Sequence, residues 1–186
     1  MFVSTKTYGH ERGLAVAYRQ WRAESHCRFI HGYSMAFYFE FECPVVDFRN
    51  WVVDFGGLKN LKAFLEDQFD HTLLVAMDDP EYDKFMELDR QGLAQVREVE
   101  RTGCEGLSKS LYDYMNEIYL PENGWGHVHC RKVQVMETPA NSAWFERSWD
   151  ESAAKGKFTF MVEQGEIERT DEIEKYMHPP AVPYAL

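Results

Sequence analysis

The sequence predicts an α+β domain that combines two amphipathic helices with an antiparallel sheet. Three observations carry this expectation. Residues 29–42 alternate with period two: Tyr33, Met35, Phe37, Phe39 and Phe41 share one parity, and Ser34, Ala36, Tyr38, Glu40 and Glu42 the other. Two segments place apolar residues at helical spacing, Leu58, Leu61, Leu65 and Phe69 in the first and Leu107, Leu111, Tyr114, Met115 and Ile118 in the second. Residues 126–138 read as a strand containing Val128, Val133 and Val135, with a turn at 139–142 and a partner strand at 143–146. Strands flanking two helices, without strict β-α alternation, point to an antiparallel sheet.

The elements follow from local chemistry. Cys43-Pro44 ends the long strand, because proline cannot donate to a ladder. Val45-Val46 and Trp51-Val52-Val53 lead into Asp54-Phe55-Gly56-Gly57, after which the first helix runs to Asp70-His71. Asp78-Asp79-Pro80-Glu81 opens an insertion at about 78–101, with a weaker helical stretch around Phe85, Leu88, Val96 and Val99. The second helix stops before Pro121 and the Asn123-Gly124 turn. Residues 157–162 read as a further short strand, and Pro179, Pro180 and Pro183 mark an irregular tail. The expected organisation is one domain over 1–147, interrupted by the insertion, and a C-terminal extension over 148–186.

Composition narrows the function. Hydrophobic residues make up 45% of the 186 and aromatics 15%, enough for a core and too many for global disorder. No apolar run approaches the ~18 residues of a membrane span, and the first residues do not read as a secretory signal. Four cysteines without a C-x-x-C pair suggest reduced thiols and a cytoplasmic setting. Twenty basic residues against 31 acidic ones argue against a nucleic-acid surface. Arg12, Arg19, Arg22 and Arg28 form a local basic stretch, which suits either a small anionic ligand or a solvated loop.

Several residues could carry chemistry. His10 and His31 could converge on a metal as neutral imidazoles, or be an ordinary hydrogen-bonded pair. Cys27 lies among His26, Arg22 and Arg28, where positive charge favours a thiolate that could act as base or nucleophile. Cys43 and Cys130 sit in strand-like sequence and read as buried apolar residues. In Asp70-His71 the carboxylate could fix the imidazole tautomer and raise its basicity. Glu137 lies late in an apolar strand, as a solvated strand end or as a bidentate acceptor for the parallel N–H donors of a cyclic guanidine-like ligand such as a pterin.

In combination these features resemble the 6-pyruvoyltetrahydropterin synthase / 6-carboxytetrahydropterin synthase family. The resemblance rests on Cys27-Arg28-Phe29-Ile30-His31-Gly32, on Val53-Asp54-Phe55-Gly56-Gly57-Leu58-Lys59, on Asp70-His71, on Thr102-Gly103-Cys104-Glu105 and on Glu137-Thr138. It implies the tunnelling fold (T-fold), a four-stranded antiparallel sheet with two helices on one face, with subunits closing into a trimeric barrel, two trimers stacking into a homohexamer, and active sites at subunit interfaces. It further implies a lyase acting on 7,8-dihydroneopterin triphosphate, on the route to queuosine and other 7-deazapurines. Cys27 would be the base, Asp70 and His71 the proton relay, and Glu137, Thr102 and Glu105 would bind substrate. A zinc ion would grip the substrate hydroxyls, with His10 and His31 as ligands. The family places its remaining ligand two residues after His31, where this chain has Tyr33, and neutral tyrosine is a poor zinc ligand. His129 shares the parity of Glu137 but lies about 26 Å from it along an extended strand. A metal-free oligomeric T-fold paralogue that binds a pterin or purine-like ligand is the alternative.

Overall fold

The computed structural model describes residues 1–147. The strands are β1 (Phe2–Tyr8), β2 (Leu14–Tyr18), β3 (His31–Cys43), β4 (Thr72–Ala76), β5 (Val96–Val99), β6 (His129–Thr138) and β7 (Asn141–Glu146). The main helices are α1 (Lys59–Phe69), α2 (Tyr82–Arg90) and α3 (Cys104–Tyr114), the last running on through a wide turn at Met115–Tyr119 and a final turn at Leu120–Glu122. The sheet order is β5-β4-β2-β3-β6-β7, with β1 also paired to β3.

The long strand β3 organises the sheet. Its first part pairs antiparallel with β2, Tyr18 opposite His31 and Leu14 opposite Met35, and its later part pairs with β1, Tyr8 opposite Phe37. Residues 9–13 therefore face Ala36 alone, so β1 and β2 are two halves of one interrupted arm. The other edge of β3 pairs with β6, and β6 with β7, both antiparallel.

Alternation puts Phe37, Phe39, Val133 and Val135 on the helix-covered face, all fully buried. Leu61, Leu65 and Phe69 of α1 and Leu107, Leu111 and Tyr112 of α3 pack into this core, with the Phe37 and Phe69 rings 4.7 Å apart. The Leu58 side chain does not cap α1. Instead, the Tyr119 hydroxyl accepts a hydrogen bond from Leu61 N at 3.1 Å, joining the two helices. Asp54 accepts from Gly56 N at 2.8 Å, forming the turn that starts α1. A Cβ at Gly57 would lie 2.9 Å from the Trp125 ring, so only glycine passes there undisturbed.

The structure departs from the sequence expectation in strand number and direction. Seven strands are present among the described residues, not four, and β4 pairs parallel with both β2 and β5. Two causes are physical. All five residues of β4 are buried, so it shows no alternation, and β1 is mostly exposed and polar. Residues 78–101 contain α2 and β5, and Phe85, Leu73, Val75 and Val96 form a second small core there. The second helix runs through Pro121, just past the wide turn at Met115–Tyr119, and ends one residue later at Glu122. The expected strand at 157–162 and the extension at 148–186 lie outside the described residues.

Candidate functional site

Four chain segments converge at one end of the core: the end of β2, the start of β3, the end of β6 and the start of α3. Glu137 shares the helix-side parity of Val133 and Val135 but lies beyond the apolar layer. Tyr18, wholly buried, reaches it and donates its hydroxyl to Glu137 Oε1. Tyr18, His31 and Tyr33 lie on the same face and form a triangle of rings, with centroids 5.1, 5.5 and 6.2 Å apart. Burial, reinforced by the hydrogen bond to Glu137, pushes the Tyr18 phenol far above its ordinary pKa; burial and Glu137 also raise Tyr33.

Beside this triangle is a pocket of about 320 Å³, at the small end of the range for small-molecule sites. Cys27, Tyr33, Cys104, Glu105 and Glu137 line it together with Gln20 and residues 140–142 of the β6–β7 turn. Cys27 sits on a short helical turn, His26–Arg28, closed by Ser25, and its carbonyl accepts from Gln20 N at 2.9 Å. Cys104 is buried, and desolvation, with Glu137 nearby, pushes its thiol up to about 11. At neutral pH Cys104 is therefore a protonated thiol, whereas Cys27 is only half-buried.

The start of α3 is tied to β2. Thr102 Oγ1 donates to the Arg19 carbonyl at 2.7 Å, and Gly103 turns the chain with φ at +93°. Thr102 lines a neighbouring cleft of about 600 Å³ that also holds Trp21, Arg22, Arg101 and Asp78 and meets the Cys27 pocket at Gln20. The basic stretch is partly neutralised. Arg19 forms a two-bond pair with Asp79 at 2.8 and 2.5 Å, and Arg22 pairs with Asp78 at 2.5 Å.

The remaining site residues lie elsewhere. Asp70 Oδ1 accepts from Ala15 N at 3.4 Å, so the pair stands near the start of β2, away from the Tyr18 end. The His71 side chain is 83% exposed, and its Nδ1 is hydrogen-bonded to Asp70 Oδ1 at 2.7 Å. Its φ of +56° projects the ring outward at the junction of α1 and β4. His10 does not join the ring triangle: its Nδ1 meets the Ser34 carbonyl at 2.6 Å, and the Ser34 side chain, of opposite parity to His31 and Tyr33, donates to the His10 carbonyl at 3.0 Å. His129 meets the Tyr112 hydroxyl at 3.1 Å, beside α3.

Among the described residues, no group of three or more His, Cys, Asp or Glu side chains is arranged to hold a metal ion. The triangle offers one imidazole and two protonated phenols, one already donating to a carboxylate. This donor set does not fit zinc. Tyr18 was not singled out from the sequence. The alternation of Leu14, Val16 and Tyr18 against Ala15 and Ala17 is the signal that marks it as part of a half-buried strand.

Comparison with known proteins places the chain in a family. A family model described as 6-pyruvoyl tetrahydropterin synthase matches residues 9–148, three quarters of the chain. The chain belongs to the 6-pyruvoyl tetrahydropterin synthase family. It is 25% identical to the 6-carboxy-5,6,7,8-tetrahydropterin synthase of Aquifex aeolicus over 119 residues, 63% of this chain and 74% of that one. It is 36% identical to the enzyme of the same name from Rickettsia typhi over 62 residues, 33% of this chain and 45% of that one. Its fold is similar to that of an uncharacterized protein from Wolinella succinogenes, with a TM-score of 0.63 at 17% identity, covering 79% of this chain and 97% of the other. It is also similar to a catalytic-residue mutant of 6-pyruvoyltetrahydropterin synthase from Plasmodium vivax, with a TM-score of 0.52 at 15% identity, covering 80% and 100%. These likenesses establish the T-fold of this family member. No helix among the described residues is long and apolar enough to cross a membrane.

Proposed function

We propose that this chain binds 7,8-dihydroneopterin triphosphate, or a close dihydropterin analogue, and acts on its side chain as a lyase of the 6-carboxytetrahydropterin synthase type. The observation that carries this reading is the single pocket shared by Cys27 and Glu137, 110 positions apart in sequence (137 − 27). The Glu137 carboxylate accepts the parallel N–H donors of the pterin ring. Glu105, at the first turn of α3, offers a second acceptor to the same pocket. Cys27, as thiolate, removes a proton from a side-chain carbon, and Tyr33 donates a hydrogen bond to the oxygen where charge develops. Asp70 and His71 do not line their own chain's pocket, so in this reading they act as the proton relay of a neighbouring copy in a homo-oligomer. The hexamer implied by the family resemblance is one such assembly.

Incubation with dihydroneopterin triphosphate should release triphosphate and acetaldehyde, and Cys27→Ala should slow release at least about 100-fold, the scale of a general base. Inert wild-type protein, or a Cys27→Ala variant equal to wild type, would refute the lyase reading. The phenols of Tyr18 and Tyr33 beside the single imidazole of His31, a donor set unsuited to zinc, favour a second reading, a metal-free family member that binds a pterin or purine-like ligand without this turnover. Under it, dihydroneopterin binds in a Glu137-dependent manner and no product forms.

A further inference from the structure

We propose that Tyr18, His31 and Tyr33 form a metal-free hydrogen-bonding seat, in which Tyr18 is a positioning residue that aims the Glu137 carboxylate at the ligand. The size of the cluster defines the question. Zinc–nitrogen bonds of 2.0–2.1 Å, with about 1 Å more to each ring centre, put three imidazoles on a tetrahedral ion about 5 Å apart, centre to centre. The centroids here, 5.1 to 6.2 Å apart, match that scale. The chemistry at two corners is different. Tyr18 carries its proton, because Glu137 Oε1 accepts from it. Turning Tyr18 into a metal ligand would require giving up that bond and setting a phenolate against a carboxylate.

The hydrogen bond has a consequence for Glu137. A carboxylate has about four acceptor positions, and Tyr18 occupies one of them. Tyr18 is fully buried and packed against His31, so its hydroxyl is a fixed point. Glu137 is thereby held in one orientation, with its remaining acceptor positions available to N–H donors in the pocket. Tyr33 lines that pocket and supplies a donor where a metal would otherwise bind a substrate oxygen. The ligand-positioning part of this proposal rests on the pterin reading above; the metal-free part does not.

The test has two arms. In the first, full-length protein is incubated with equimolar zinc and desalted, and its zinc is measured by mass spectrometry without any pterin. Wild type should retain less than about 0.1 zinc per chain, while the Tyr18→His/Tyr33→His double variant should approach about one, as expected for a three-nitrogen site. Stoichiometric zinc in wild type, lost in His31→Ala, would overturn the metal-free assignment. In the second arm, 7,8-dihydroneopterin binding is followed by fluorescence in wild type, Tyr18→Phe, Glu137→Gln and the double variant. Tyr18→Phe should weaken binding about tenfold, and the same change in the Glu137→Gln background should have almost no effect, because its route of action is gone. Additive losses would mean a merely structural role and would overturn the positioning assignment. Absence of dihydroneopterin binding to wild type would refute the pterin reading and the positioning role together, and the zinc arm would still decide the metal-free claim.

Discussion

Replacing Asp79 by Asn should destabilise the domain and loosen the loop that carries Cys27. The Asp79 side chain is 2% exposed; Oδ2 accepts from Arg19 Nε, and Oδ1 accepts from Arg19 Nη2 and from Glu81 N. Asparagine keeps an oxygen for one side of this fork but turns an NH2 donor toward an Arg19 donor on the other, and it removes the charge. A lost hydrogen bond to a charged group costs about 1.5–3 kcal/mol, and an unpaired buried guanidinium adds to that. Arg19 is 22% exposed and can recover some hydration, so the total should be about 3 kcal/mol. For a domain of this size that corresponds to a fall in Tm of about 6–12 °C. Burial opposes ionisation of Asp79, but the Arg19 hydrogen bonds, the Glu81 amide and the Arg19 charge outweigh it and hold its pKa below the usual carboxylate value. The stabilisation is therefore fully present above the unfolded-state pKa of about 4 and is lost as pH falls through the lower folded-state value. Urea denaturation of wild type and Asp79→Asn at pH 7 should show the full gap, and the gap should narrow below about pH 4. A gap under about 0.5 kcal/mol at pH 7, the range of ordinary surface substitutions, would refute the reasoning.

The other expectations concern the core and the pocket. Phe37→Ala removes a fully buried ring packed on Phe69 and should cost about 3–5 kcal/mol in chemical denaturation. Gly103→Ala meets φ at +93° and places a Cβ 2.3 Å from Gln20 Nε2; it should cost about 1–3 kcal/mol and shift Gln20 within the pocket, measured by denaturation and ligand affinity together. Glu137→Gln should weaken dihydropterin binding about 10- to 150-fold, as for a lost charged hydrogen bond, and titration calorimetry reads this directly. Of the four thiols, Cys27 alone should react quickly with a disulfide reagent at pH 8: Cys43 and Cys104 are buried and pushed up to about 11, and burial raises Cys130 as well. Cys27→Ser should abolish that fast phase.

The parts of the fold legible in the sequence are those where burial differs between two faces. The long strand β3 and helices α1 and α3 each bury one side, so their apolar residues repeat with a visible period. Strand β4 is buried on both sides and has no such period, and its parallel neighbours β2 and β5 are far from it in sequence, which local pattern does not reveal. The site was partly legible for the same reason. Cys27, Glu105 and Glu137 stand out by chemistry and meet in one pocket, whereas Tyr18 looks like one more aromatic core residue until its hydroxyl partner is known. Residue type alone groups His10 with His31, but the surplus residues around it carry it out of the strand and onto the Ser34 carbonyl.

That surplus has an evolutionary corollary. Five residues opposite a single one act as slack between two independently zipped segments. Lengthening or shortening the slack would reshape the rim of the sheet without changing which side chain of β2 stands across from His31. Related chains can therefore differ in length at this point and keep the same chemistry at the far end of the arm.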